Sequence, residues 1–393
     1  MSQSFPVPLL TKEYSTSFPL LVVGLPGVPG YNAFFYLKML FPNRVGGIVP
    51  PNAPSLLTKG SLLIRPGKSP DGTVESLLES GLLPLDPENP HEVDQLFETI
   101  PFQAVVDASG WCALKPCELD PALGRRLNVD VGVNIMRAAK RVGARLIRLS
   151  TDLVFDGKPY VRDGQVIQGN YLEDSPVSPV TMYGKLMAES EIKILEEYPE
   201  TAVLRIALPM GPSFSGYAGA IDWIESRFRK GRPATLYLDE VRSNLYVQDL
   251  NRVILSFLNN KANGIYHVGG PQPLSLFQIA QAINKLGNYP AELLMGCMRE
   301  AAGPMPPRAG DVTMNIDKLV NLVGSDMVRR WPFKSDQKPP DLRWHHDRNT
   351  LFPESAIAKE LYGYGWPEAW DHPGNLIPPE FAPSQSHKAT IFN

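Results

Sequence analysis

The stretch Phe18-Pro-Leu-Leu-Val-Val-Gly24-Leu-Pro-Gly27-Val-Pro-Gly30-Tyr31 decides the fold. Its first half, Phe18 to Val23, is a short continuous apolar run, the pattern of a parallel strand buried on both faces. Its second half is punctuated by glycine and proline, and Tyr31 to Leu40 then reads as a helix. Glycines between a buried strand and a helix permit a tight turn, and they let backbone N–H groups approach a pyrophosphate at the helix N-terminus. Gly24, Gly27 and Gly30 are therefore candidate cofactor-binding positions. A glycine triplet alone would also suit a plain strand-to-helix loop, so the weight lies on its placement.

Outward from that turn, short apolar runs recur at Val45 to Val49, Ala104 to Val106, Leu146 to Leu149 and Val203 to Ile206. Helical patterns at His91 to Ile100, Asn128 to Val142 and Tyr183 to Tyr198 separate several of them. Strand and helix alternating in this order predict an α/β fold, a Rossmann-like doubly wound parallel sheet. After about residue 207 the pattern changes. Ala220 to Lys230 and Ser275 to Leu286 read as helices, and Leu236 to Leu238 and Ile265 to Val268 as short strands. The expected organisation is an N-terminal extension over 1–17, a dinucleotide-binding domain over 18–207, a smaller substrate lobe over 208–330, and an aromatic, proline-rich extension over 331–393.

Composition fits this division. The 393 residues exceed what one core usually holds, so two lobes are expected. A hydrophobic share of 43%, a charged share of 20% and a net charge of −3 describe an ordinary globular protein with no electrostatic bias toward nucleic acid or an acidic membrane. The apolar stretch from Phe18 to Leu40 is broken by prolines and glycines and follows no cationic segment, which argues against a membrane span or signal. Cys112, Cys117 and Cys297 suit neither a disulfide framework nor a zinc site, and a reducing cytoplasm is the simpler inference. His345 and His346 are adjacent and the other histidines scattered, so no metal site is expected. The 39 prolines point to long ordered connections.

Two further segments carry chemistry. Leu149-Ser-Thr-Asp-Leu-Val-Phe-Asp-Gly157 follows a buried strand, and Tyr171-Leu-Glu-Asp-Ser-Pro-Val-Ser-Pro179 leads into Met182-Tyr-Gly184 at a helix start. Together with the GxxGxxG spacing of the turn, these resemble the extended short-chain dehydrogenase/reductases, in particular dTDP-4-dehydrorhamnose reductases and their relatives. The resemblance runs from about residue 18 to about 320. It implies NADP or NAD as cofactor and a nucleotide sugar as substrate, and it leaves room for a homodimer. It further implies that Thr151 polarises a substrate carbonyl beside Asp152, while Tyr183 exchanges the proton as hydride moves. Asp107-Ala108-Ser109-Gly110 resembles the stretch along the cofactor, with Asp107 where Asn is more usual, and Asn128 fits a family Asn. Asp86 fits an acid near the adenine, and equally a carboxylate at a helix entry.

Three places complicate that picture. The family's lysine, four residues after the tyrosine, is replaced by Met187. Lys185 is two residues on, turned about 200° away from the tyrosine face, and cannot simply substitute. The strand after the turn, ending Ile48-Val-Pro-Pro51-Asn52, offers neither an acid for a ribose nor a base for a 2′-phosphate, which leaves NAD against NADP open; Arg44, Lys59 and Arg65 lie near it in sequence. Arg242, in Arg242-Ser-Asn-Leu-Tyr-Val-Gln-Asp249, and Arg308, in Pro307-Arg308-Ala-Gly-Asp311, resemble arginines that hold a substrate diphosphate in many relatives. Arg242 nevertheless departs from the dehydrorhamnose reductases themselves; surface pairing with Asp239 or Asp311 is the alternative. Two functions follow: an NAD(P)-dependent oxidoreductase or epimerase of a nucleotide-linked keto-deoxysugar, or a non-catalytic subunit resembling the regulatory subunit of methionine adenosyltransferase.

Overall fold

A computed structural model of the chain describes residues 16–49, 78, 81–211, 219–329 and 331. Most of the expected N-terminal extension, everything beyond Trp331, and Lys59 and Arg65 lie outside the described residues. The sheet strands are β1 (Leu20–Val23), β2 (Val45–Val49), β3 (Leu82–Pro84), β4 (Ala104–Asp107) and β5 (Arg145–Thr151), followed by Ala202–Ile206 and Gly264–Val268. All are parallel, in the order β3-β2-β1-β4-β5 and then the last two. The order reverses between β1 and β4, and a doubly wound sheet opens its ligand crevice at the C-terminal ends of those strands.

Both faces of the sheet are covered, which is why β1 reads as an unbroken apolar run. Leu20 and Val22 point into one layer with Phe34 and Leu37 of helix α1 (Val28–Leu40), whereas Leu21 and Val23 point into the other with Phe97, Ile135 and Met136. Burying each such side chain stabilises by about 1.5–3 kcal/mol, so the side-chain alternation of one four-residue strand fixes two layers at once. The helix expected from Asn128 forms as Val131–Val142 and is preceded by a π-helical turn, Arg126–Asp130, that contains Asn128.

The chain returns to this sheet within the stretch expected to form the smaller lobe. Helix Val247–Leu258 lays Leu250, Val253, Ile254 and Phe257 into the α1 layer, and Gly264–Val268 then pairs along Ala202–Ile206 as the edge strand. What remains forms a separate core. Ala234–Tyr237 pairs with Leu294–Cys297, and Val241–Ser243 pairs antiparallel with Pro273–Ser275. Helix Leu276–Leu286 begins with a capping box in which Ser275 and Gln278 satisfy each other's backbone N–H groups. Ile224, Phe228, Ile279, Ile283 and the buried Trp331 fill the interior. This lobe is fastened beyond β5, where the Gly310 and Asp311 N–H groups donate to the Asp156 and Gly157 carbonyls at 2.8 and 3.1 Å. Among the described residues no helix is long and apolar enough to cross a membrane.

Candidate functional site

The glycine turn is shaped by contacts that a Cβ would forbid. Gly24 has φ +86°, and a Cβ there would stand 2.2 Å from the Ala108 carbonyl oxygen. A Cβ on Gly30 would stand 2.2 Å from the Gly24 carbonyl oxygen, so helix and turn can touch only because both are bare. Gly27 donates its N–H to the Gly24 carbonyl at 3.0 Å and takes the N-cap position of α1. No side chain caps that helix and no acid occupies its first turn. Its first turn therefore meets the glycine turn with backbone N–H groups, the arrangement that suits a pyrophosphate.

Across the crevice, Ala108, Ser109 and Gly110 follow β4. Here the chain has buried a charge that sequence reasoning missed. Arg148, 1% exposed in the middle of β5, donates to the Asp107 carboxylate at 2.8 Å. It also donates to the Ser109 hydroxyl and carbonyl at 2.7 and 2.9 Å, and to the Asn128 carbonyl at 3.1 Å. The Ser109 hydroxyl is thus directed inward, and the crevice wall consists of backbone held from behind by a guanidinium. Asn128 completes the support by accepting the Trp111 N–H at 2.7 Å. A visible signal existed: an arginine inside an otherwise apolar strand, with Asp107 where Asn is more usual.

The two expected catalytic hydroxyls are brought together. Thr181 caps helix Met182–Glu197 by accepting the Gly184 N–H at 2.9 Å. A Cβ on Gly184 would lie 2.2 Å from the Leu153 carbonyl oxygen, so this glycine lets the helix start sit directly on the segment after β5. Tyr183 consequently lies beside Thr151. The Thr151 hydroxyl accepts the Leu153 N–H at 3.2 Å and donates to Asp152 at 3.3 Å.

Their electrostatics differ from an activated phenol. Burial pushes the Tyr183 phenol well above its ordinary value, and the neighbouring Cys112 thiol adds to the rise; Arg148 and the Thr151 hydroxyl pull it down without prevailing. Met187, one turn on, is buried in the core, with its sulfur 3.8 Å from where a Cβ on Gly110 would be. Lys185 is exposed, as its spacing requires. Among the described residues, no lysine faces Tyr183.

The two arginines behave differently from each other. Arg242 is buried and donates both edges of its fork to Asp152, with Nε to Oδ2 at 2.6 Å, so its partner is the carboxylate next to Thr151 and not Asp239 or Asp311. Asp239 instead pairs with Arg299 at 2.9 Å. Arg308 stays at a rim, over the Tyr237 ring at 4.8 Å. Asp86 follows β3 and accepts the Glu88 N–H at 3.0 Å in a local turn, while Asn89 caps the next helix. Cys112 and Glu240 also border the site and carried no motif by which to be found.

The RmlD substrate binding domain family model matches residues 60–333. Methionine adenosyltransferase 2 subunit beta of Xenopus laevis is 30% identical over 250 residues, covering 60% of this chain and 69% of that protein. The dTDP-4-dehydrorhamnose reductase of Aggregatibacter actinomycetemcomitans is 24% identical over 206 residues, covering 51% and 66%. Among solved structures, the dTDP-4-dehydrorhamnose reductase of Bacillus anthracis in complex with NADP superposes with a TM-score of 0.59 at 19% identity, covering 78% of this chain and 93% of that one.

Proposed function

The chain belongs to the RmlD substrate binding domain family, and from that premise we propose that it is a dinucleotide-binding regulatory subunit of the methionine adenosyltransferase type. The observation that carries this reading is Met187, a buried thioether one helical turn from Tyr183. A cation there would lower the phenol and hold a ribose hydroxyl; a thioether does neither. With burial already holding the phenol protonated, Tyr183 is a weak proton exchanger at neutral pH.

The glycine turn and the open end of α1 fit an NADP or NAD pyrophosphate, and the inward-tied wall at Ala108 to Gly110 leaves backbone room for the rest. Bound there, a nicotinamide dinucleotide would supply hydride; here its part is to order the crevice that joins the two lobes. The 30% identity to a methionine adenosyltransferase subunit beta supports the choice of partner. Mixing the full chain with a methionine adenosyltransferase catalytic subunit is expected to form a complex and to change that enzyme's KM for methionine. Met187→Lys should leave this change intact.

A second reading is favoured by one observation, the retained contact of Tyr183 with Thr151 beside the Asp152–Arg242 pair. On it, the chain reduces or epimerises a nucleotide-linked keto sugar, and Met187→Lys should raise turnover of dTDP-, UDP- or GDP-4-keto sugars about a hundredfold. Wild-type turnover of about 1 per second or more, with no effect on a methionine adenosyltransferase, would overturn the first reading.

A further inference from the structure

Outside the crevice, the segment after β5 forms a two-stranded hairpin that leaves an edge open. Tyr160–Arg162 pairs antiparallel with Gln165–Ile167, which sets Val161 opposite Val166. Asp163 and Gly164 between them have φ of 51° and 75°, the two left-handed residues of a type I′ turn. One face of the hairpin is held by the body: Tyr160 stacks on Tyr171 at 4.9 Å, and Tyr171 stacks on Phe155 at 4.1 Å. Side chains alternate along a strand, so Val161 and Val166 stand on the opposite face. They are the two most exposed large apolar side chains among the described residues, at 71% and 75%.

The hydrogen-bonding parity of that edge follows from the turn. A two-residue turn makes Arg162 and Gln165 the hydrogen-bonded pair beside it, so Val161 and Val166 form the non-hydrogen-bonded pair and aim their N–H and C=O groups outward. Among the described residues no third strand receives them. The two edges are not alike. Tyr160–Arg162 is blunted by Pro159 before it and by the charge of Arg162, tied to Asp174 at 2.8 Å. Gln165–Ile167 carries neither charge nor proline. A hairpin of two strands is marginal by itself and gains from a third. A second copy of the chain supplies one of matching parity: about a two-fold axis at Val166, each Val166 N–H donates to the Val166 carbonyl of the other copy. The exposed valines then continue as one row across the axis, with no charge on either paired strand. We propose that this chain self-associates by pairing its Gln165–Ile167 edge with that of a second copy, a contact separate from the crevice and independent of whether Tyr183 turns over.

Sedimentation equilibrium of the full chain tests this. A contact of this size lies below the standard protein interface, so the wild type should be half dimeric at about 10–100 µM. Val166→Lys sets like charges on both sides of the axis and should raise that concentration by about tenfold or more, with the urea midpoint and NADH affinity unchanged. Cross-linking checks the geometry. The Cα atoms of a hydrogen-bonded pair stand about 5.5 Å apart, within reach of a disulfide, so Val166→Cys with oxidised glutathione should give a covalent dimer above the wild-type background. The two Val161 residues stand about 14 Å apart across the same axis, three strand spacings, and Val161→Cys should give none. A wild type that stays monomeric throughout this range would overturn the proposal and leave the strand to a different chain. Undiminished association of Val166→Lys, or equal cross-linking of the two cysteine variants, would overturn it as well.

Discussion

The two walls of the crevice are built from different materials. On the side of α1, the site is backbone: a positive-φ glycine, a helix placed within touching distance of a carbonyl, and a row of N–H groups. On the side of β5, the site is side chain: a phenol, a hydroxyl, a thiol and charges tied to one another. A backbone site tolerates change anywhere except at the residues that keep Cβ atoms out. A side-chain site changes its chemistry with one substitution while its shape persists. The first wall here is held open by its bare glycines, and the second carries a buried thioether, Met187, one helical turn from the Tyr183 phenol.

The largest effect should come from adding atoms to the backbone wall. In Gly30→Val, even the Cβ would meet the Gly24 carbonyl at 2.2 Å, and neither backbone segment can yield without moving the turn off β1. We expect a loss of about 3 kcal/mol or more, with NADH binding falling below detection. Urea unfolding and NADH fluorescence titration would check it. Wild-type values for both would remove the ground for calling this wall a backbone construction.

Next in size is the charge behind the second wall. Arg148→Met strands the fully buried Asp107 carboxylate, an error that costs about 3–5 kcal/mol. Adding Asp107→Asn should restore more than half, because the unpaired charge disappears while an amide can still accept the Ser109 N–H. Comparing the urea midpoints of the wild type, both single variants and the double variant gives the coupling. Strictly additive losses would mean that the two residues do not act as a pair, and that the wall has some other support.

The same contrast explains what the sequence made legible. The glycine turn and the individual strands depend on local pattern, and Val45–Val49 forms just as its apolar run predicts. Thr151 and Tyr183 could be paired because two motifs named them. Arg148 could not be assigned its partner, because Asp107 lies on another strand and their pairing depends on register, Asp107 opposite Arg148 in β4 and β5. Arg242 was read toward a diphosphate by its motif, whereas only the three-dimensional seat of Val241–Ser243 against the end of β5 reveals that its fork holds Asp152. The return of Val247–Leu258 and Gly264–Val268 to the sheet was equally hidden, since a helix face that suits a small lobe also suits α1.

The smallest expected effect separates the walls by pH. His267, fully buried on the edge strand, meets the Tyr171 carbonyl through Nδ1 at 3.1 Å and sits edge-on to Phe155, whose ring stacks on Tyr171; its Nε2 has no hydrogen-bond partner among the described residues. Burial, with the nearby Arg205 and Lys318 charges, lowers its pKa to about 3 from 6.5, while the Asn315 and Tyr171 backbone contacts oppose the drop. The unfolded chain therefore takes up a proton first. Stability from this residue is complete above about pH 6.5 and is lost as pH falls toward the folded value, by up to about 1.4 kcal/mol per pH unit. Urea midpoints measured between pH 7 and 5, before most carboxylates titrate, should decline in the wild type and stay flatter in His267→Gln. NAD affinity of the folded protein should hold steady over the same range, because the turn at Gly24, Gly27 and Gly30 offers backbone and no titrating side chain. A parallel decline in affinity would mean that the glycine wall depends on the edge of the sheet at His267, and its independence of titrating side chains would fail.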